Sequence, residues 1–301
     1  MDFNGTIEVK HNPRTIWETY SHTFEKSADE RNSGYRELDF SKRAEGGYYR
    51  ASFSIRESTE FLADFVHNAL GREVKILGNA GQQAWEGFIY KLEYDAGRVV
   101  YKVDLGDMAN AVWVRYRIRG TSTTSRSTTQ TDEDSIARYG RKEFILSGGE
   151  LESSAVADAI TTQYLSLHSW PRPSPARIDP EKDLSEYPVV NVKCRGWIDT
   201  LNWMVYNQTT DTDAQGSSAE VAAVLGTIGS TDATVGYFIE SVDVRTNSTS
   251  ISKEYDADRR GGDIIQDIAR VGDSAGNRWL AYMDDSREFV FEEAAPPDDP
   301  T

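Results

Sequence analysis

The stretch Asp134–Leu165, DSIARYGRKEFILSGGELESSAVADAITTQYL, decides how the rest of the chain is read. A short motif leads into an amphipathic run. Leu151, Ala155, Val156, Ala159, Ile160, Tyr164 and Leu165 recur at helical spacing, and Ser147 with Glu150 shows the capping-box interval that opens a helix. β-Rich sequence flanks it on both sides. Trp85-Glu86-Gly87 stands in an alternating run before it, and Gly196-Trp197 in another after it. A helix set between two such segments predicts a mainly β chain with α+β elements. The expected form is two β-barrel-like modules joined by an amphipathic helix, plus a small C-terminal α/β segment.

Working outward, the N-terminal side reads as strands punctuated by turn residues. Phe3–Val9 alternates like an edge strand, with polar turn residues at Asn12-Pro13. Arg36–Ile55 reads as a hairpin turning at Glu45-Gly46-Gly47. Ser58 caps a helix that carries Phe61, Leu62, Phe65, Val66, Ala69 and Leu70 inward and stops at Gly71, leaving His67 on its polar side. Strands follow at 73–77, 84–94, 99–105 and 112–118. In the last of these Val112, Val114, Tyr116 and Ile118 oppose Trp113, Arg115 and Arg117. Residues 120–131 are nearly all Gly, Ser, Thr and Gln, which predicts a mobile loop or an extended connection.

After the pivot, Trp170-Pro171-Arg172-Pro173-Ser174-Pro175 ends the helix. Val190, Val192 and Cys194 alternate with Lys193 and Arg195, and Leu201, Trp203 and Val205 continue the alternation, so a second β module is expected there. Helices are expected at 219–228 and near 258–271, and strands at 236–244, 277–283 and 288–291. The predicted organisation is an N-terminal β-barrel domain (1–119), then loop, pivot strand and connecting helix (120–180). A second β-barrel module sharing strands with its neighbours (181–218), an α/β attachment domain (219–293) and an acidic, proline-rich tail (294–301) complete it.

The formal charge of −16 is uneven: residues 181–301 hold 23 acidic against 10 basic side chains. A protein that grips phosphate backbones shows the opposite sign. An acidic wall would instead let DNA pass without sticking, although acidic surfaces also serve plain solubility. The single cysteine, Cys194, rules out an internal disulfide framework and is expected as a small buried hydrophobe. The first residues lack an apolar signal core, and no window approaches a membrane span, so no membrane insertion is expected.

Several short motifs occur in order. They are Gly46-Gly47-Tyr48-Tyr49, Leu70-Gly71-Arg72-Glu73, Trp85-Glu86-Gly87-Phe88-Ile89 and the run Asp107–Tyr116 (DMANAVWVRY). Ser135–Glu143 (SIARYGRKE) and Gly196–Trp203 (GWIDTLNW) follow. This succession, over roughly residues 36–290, resembles tail proteins of bacteriophages and prophages, in particular the tail or baseplate hub group. The resemblance implies two related β-barrel domains per chain, a homotrimer presenting a pseudo-sixfold ring to the tail tube, and further tail-tip or baseplate partners. It places the chain in the virion tail, assembled in the bacterial host cytoplasm around a path for DNA. A structural role by assembly is expected, and the residues themselves offer no catalytic, cofactor or metal signature.

Competing chemistry is weaker. The histidines, His11, His22, His67 and His168, show no metal-ligand spacing. Asp284, Asp285 and Glu288 imitate a glycosidase carboxylate pair, but adjacent Asp residues in a hairpin are ordinary turn chemistry. Arg138-Tyr139-Gly140-Arg141 reads as a phosphate nest or, more simply, as a glycine turn anchored by Tyr139. Trp85, Trp113, Trp197 and Trp203 suit either a sugar-stacking platform or core packing. Trp113, Arg115, Arg138, Tyr139, Trp197 and Trp203 are the candidate subunit-interface residues. The alternatives to a tail component are a tail-tip glycan- or receptor-binding module and a peptidoglycan hydrolase.

Overall fold

The computed structural model describes residues 4–10, 20–29, 32–206, 216–230, 238–251 and 259–295. Phe3, the Asn12-Pro13 turn, most of the 211–218 loop, the start of the 236–244 strand and the end of the tail lie outside them. The chain is mainly β with α+β elements. It clusters into two units: Met1–Ser41 with Arg50–Arg195, and Lys42–Tyr49 with Gly196–Thr301.

The first unit opens with β1 (Thr6–Lys10), β2 (Ser21–Glu25), β3 (Gly34–Arg43), β4 (Gly46–Arg56), α1 (Thr59–Asn68), β5 (Glu73–Leu77), β6 (Gln83–Gly97) and β7 (Val99–Asp104). It continues through β8 (Ala111–Ile118), β9 (Thr124–Arg126), β10 (Gln130–Thr131), α2 (Glu133–Tyr139), β11 (Glu143–Leu151), α3 (Ser154–His168), β12 (Ser174–Ile178) and β13 (Leu184–Arg195). The main sheet runs β3-β4-β13-β6-β5-β1-β2, with β7 and β12 branching from the far half of β6. Among the described residues a single parallel bridge, Lys26↔Tyr35, links the chain after β2 to β3. There the Ser27 N–H donates to the Tyr35 carbonyl at 3.1 Å. Closing a barrel takes a continuous ladder, and one bridge does not provide it. The expected first barrel is therefore an open sheet curled toward closure.

Its core follows from alternation. Ile7, Val9, Phe53, Ile55, Val74, Ile76, Trp85, Leu92, Val190 and Val192 are buried, and α1 adds Leu62 and Phe65. Each side chain of this size contributes roughly 1.5–3 kcal/mol by leaving water. α1 starts where the sequence places it, with the Ser58 hydroxyl accepting the Phe61 N–H at 3.2 Å. Gly71, at φ +79°, turns the chain away beyond it.

The expected second module is corrected at its first strand. Val190–Arg195 pairs with β4 (Val190↔Ile55 to Arg195↔Arg50) on one side and with β6 on the other, in the middle of the first unit's sheet. The alternation Val190-Val192-Cys194 suits any half-buried strand, and its partners lie roughly a hundred residues upstream on β6 and farther still on β4. The next residues form a helix and not the expected strand. Trp197, Thr200, Leu201 and Trp203 are buried at helical spacing on a 3-10 helix, Trp197–Trp203.

The pivot is corrected as well. Glu143–Leu151 forms β11, parallel to β8, with a register shift between Ser147 and Gly149. Gly149 sits at φ +60°, outside helical space, so Ser147 and Glu150 cap nothing. The helix starts at Ser154, and its N-cap, Ser153, makes no side-chain cap hydrogen bond. α3 does not connect modules; it covers the small β8 sheet of the same unit. Ala157 joins Val114 and Tyr116, with Leu146, Leu151 and Ile160 packed around them. The buried stripe runs through Ala157 and Thr161, whereas the expected Ala155, Val156 and Ala159 face outward. The Ser/Thr-rich 120–131 segment is an extended connection pinned to β8 through β9 and β10.

The second unit holds the 3-10 helix, α4 (Ser217–Ser230), β14 (Ser241–Val244), α5 (Gly261–Val271), β15 (Trp279–Met283) and β16 (Glu288–Glu293). β16 lies between parallel β14 and antiparallel β15. Gly46 and Gly47, from the β3–β4 hairpin tip, pair with β15. α5 buries Ile264, Ile265, Ile268 and Ala269, as its periodicity predicts. The expected 181–218 and 219–293 division thus gives way to a boundary after Arg195.

The two Trp–Gly signals have local causes. A Cβ on Gly87 would sit 2.1 Å from the Arg195 carbonyl oxygen and 2.5 Å from the Trp85 ring. A Cβ on Gly196 would sit 1.7 Å from the Tyr48 carbonyl oxygen. Each glycine admits a neighbouring backbone at close range. The glycine of each motif is thus accounted for by its own neighbour, Arg195 in one case and Tyr48 in the other.

Candidate functional site

The aromatic members of the expected interface set are spent on packing within their own units. Trp113, Tyr139, Trp197 and Trp203 are all 5% exposed or less. Trp113 takes the Arg126 guanidinium over its ring at 4.1 Å. Tyr139 meets Trp170 edge-on at 5.9 Å, and Trp197 stacks on Phe238 at 4.8 Å. Phe238 also meets Trp203 edge-on, at 5.8 Å. Sugar stacking needs exposed ring faces, which these tryptophans and the buried Trp85 lack. Of the cationic members, Arg115 is exposed. Arg138 lies in the last turn of α2, which takes the place of the expected pivot strand, and donates from Nη2 to the His67 carbonyl at 3.3 Å. Gly140, at φ +83°, makes the turn that Tyr139 anchors.

The acidic hairpin is a turn. Asp284 Oδ1 accepts the Ser286 and Glu288 N–H groups, each at 2.8 Å. Asp285 pairs with Lys42 at 2.9 Å. That hydrogen bond outweighs partial burial and holds the Asp285 carboxyl below the usual carboxylate range. A general acid needs the opposite shift. Among the described residues no group of three His, Cys, Asp or Glu side chains could hold a metal ion. Cys194 is buried, and desolvation pushes its thiol up, away from the reactive thiolate.

The first unit carries a site that the sequence reading missed. A half-open cavity of about 360 Å³ lies on the polar face of the main sheet. β4 contributes Arg50 and Ser52, β13 contributes Lys193 and Arg195, β6 contributes Tyr90 and Lys91, and β3 contributes Asp39. Strand pleat explains the arrangement. Ala51, Phe53, Val192 and Cys194 turn to the core, so Arg50, Ser52, Lys193 and Arg195 turn outward together. Register then lines them up: Arg195 opposes Arg50, and Lys193 lies between Ser52 and Lys91. The register shift between Lys193 and Cys194 brings Tyr90 into the same cavity. Its ring carries the Arg195 guanidinium at 3.9 Å.

Electrostatically this is a local inversion. Four cationic side chains and one carboxylate line the cavity of a chain with net charge −16. Lys91 and Lys193 make no ion pair among the described residues. Like charges directly opposite on neighbouring strands, with Cβ atoms about 5 Å apart, destabilise a sheet. In solvent the repulsion is on the order of 1 kcal/mol at close range. The alternation of Lys193 and Arg195 was visible in sequence. Their meeting with Arg50 and Lys91 depends on pairings that no local pattern encodes. Comparison with family models, curated proteins and solved structures returns no match.

Proposed function

We propose that this chain is a structural component of a phage or phage-like tail, a ring-forming hub or distal tail adaptor acting by assembly. The observation that carries this reading is the unfinished state of the first unit's sheet. Among the described residues its closure rests on one bridge, and β12 pairs with β7 alone. That edge lies beside large exposed apolar groups, Ile178 at 65% and Tyr101 at 46% exposure. Unpaired strand edges with apolar flanks invite pairing by another chain. A ring of copies, or an adjoining ring of tube protein, supplies such a partner. The ordered motifs quoted above support the same reading. So does the charge: the second unit holds 21 acidic against 9 basic residues, a balance suited to a DNA passage without adhesion.

Light scattering of the purified chain, followed by electron microscopy with and without tube protein, tests the proposal. A trimeric or hexameric ring is the expected result. A strict monomer at high concentration that forms no ring with tube protein overturns it. In an assembled ring the second unit's acids are expected at the lumen; acids confined to the outer surface would assign them to solubility instead.

A further inference from the structure

We infer that the cationic cavity on β4, β13 and β6 is a binding site for a compact multivalent oxyanion, a phosphate or diphosphate group carried by a small molecule. This does not depend on ring formation. The cations are fixed by a sheet interior, where strands lie about 4.8 Å apart and same-face residues about 6.7 Å apart along a strand. Arg50, Arg195, Lys193 and Lys91 therefore converge on one small area from three strands. Arg195 is already oriented, since its guanidinium lies on the Tyr90 ring at 3.9 Å. That leaves less side-chain freedom to lose on binding.

The cavity volume, about 360 Å³, falls at the small end of ligand sites. A tetrahedral dianion suits this geometry better than one carboxylate. It carries more charge, and its oxygens point in several directions, toward donors arriving from several strands. A nucleic-acid backbone fits poorly, because phosphates flanking the bound one would meet a chain of net charge −16. A bound dianion also relieves the juxtaposition of Lys91 and Lys193 described above.

Isothermal titration calorimetry of the whole chain with inorganic pyrophosphate at low salt is the test, with hexaglutamate as the competing arm. Saturable binding of one pyrophosphate per chain is expected. Lys193→Gln should weaken it by about tenfold, and Lys91→Gln with Lys193→Gln by more. Lys102→Gln, on β7 outside the cavity, should change nothing. Lys193 is exposed and Lys91 half-buried, and circular dichroism shows whether each variant keeps its fold. Absence of saturable pyrophosphate binding overturns the inference, as does a doubly substituted chain that binds like the wild type. Tighter binding of hexaglutamate at the same site also overturns it, and assigns the cavity to an acidic protein segment.

Discussion

Asn110 shows how much one unadvertised side chain can organise. It is fully buried. Its Nδ2 donates to the Gly140 carbonyl at 2.8 Å and to Ser135 Oγ at 3.2 Å, while its Oδ1 accepts the Lys142 N–H at 2.6 Å. One amide thus ties the start of β8 to both ends of the α2 region. Asn110→Ala would leave several buried polar groups without partners, at about 1–3 kcal/mol each before relaxation. Urea denaturation should show a loss of about 2–4 kcal/mol; a loss under about 0.5 kcal/mol would show the network to be dispensable. Gly87 is as exacting for steric reasons. Gly87→Ala forces a methyl against the Arg195 carbonyl, and a drop of about 1–3 kcal/mol in the same assay is expected. Nothing in the sequence singles out Asn110, because its partners are 25 and more residues away. Gly87 was visible only as part of a Trp–Gly pattern.

At the scale of elements, two serine-capped helices with similar sequence logic differ. Ser58 caps α1 through its hydroxyl, whereas Ser153 precedes α3 without a side-chain bond. Ser58→Ala should therefore cost about 1 kcal/mol, and Ser153→Ala no more than about 0.5 kcal/mol. Equal losses in parallel thermal melts would contradict the cap geometry. α1 was legible because its cap, apolar stripe and terminal glycine all lie within fourteen residues, Ser58–Gly71. α3 was legible as a helix but not in its start or buried face. Gly148 and Gly149 let β11 extend alongside β8 across the expected start. The inward stripe uses small Ala157 and Thr161, whose burial reflects close approach to β8 and not hydrophobicity.

Across the whole molecule, acid should destabilise both units. Burial alone would raise the Asp132 carboxyl, but hydrogen bonds from the Ser135 N–H, Ser169 and Trp170 outweigh it and hold the group below its ordinary 3.8. In the second unit Asp285 is lowered chiefly by the Lys42 hydrogen bond, and Asp273 chiefly by the Asn277 N–H. Folded values below unfolded ones mean stability that is present above about pH 4 and lost as pH falls through the folded values. Melting temperature should fall between about pH 5 and pH 2. Asp132→Asn should flatten that fall for the first unit and Asp285→Asn for the second. A slope unchanged in either variant would remove that carboxylate from the acid response.

By itself the sequence determined the mainly β class, the hairpin turning at Glu45-Gly46-Gly47, helix α1, the buried face of α5, the acidic turn of the last hairpin and the burial of Cys194. All of these are set by residues within a few turns of one another, through alternation, caps and glycines. Only the tertiary structure decided that β13 lies between β4 and β6 in the first sheet, that α3 covers β8, and that Arg50, Lys91, Lys193 and Arg195 share one cavity. An alternating strand fits any sheet with a free edge. Which edge it takes, and which charges that choice brings face to face, is settled by long-range packing.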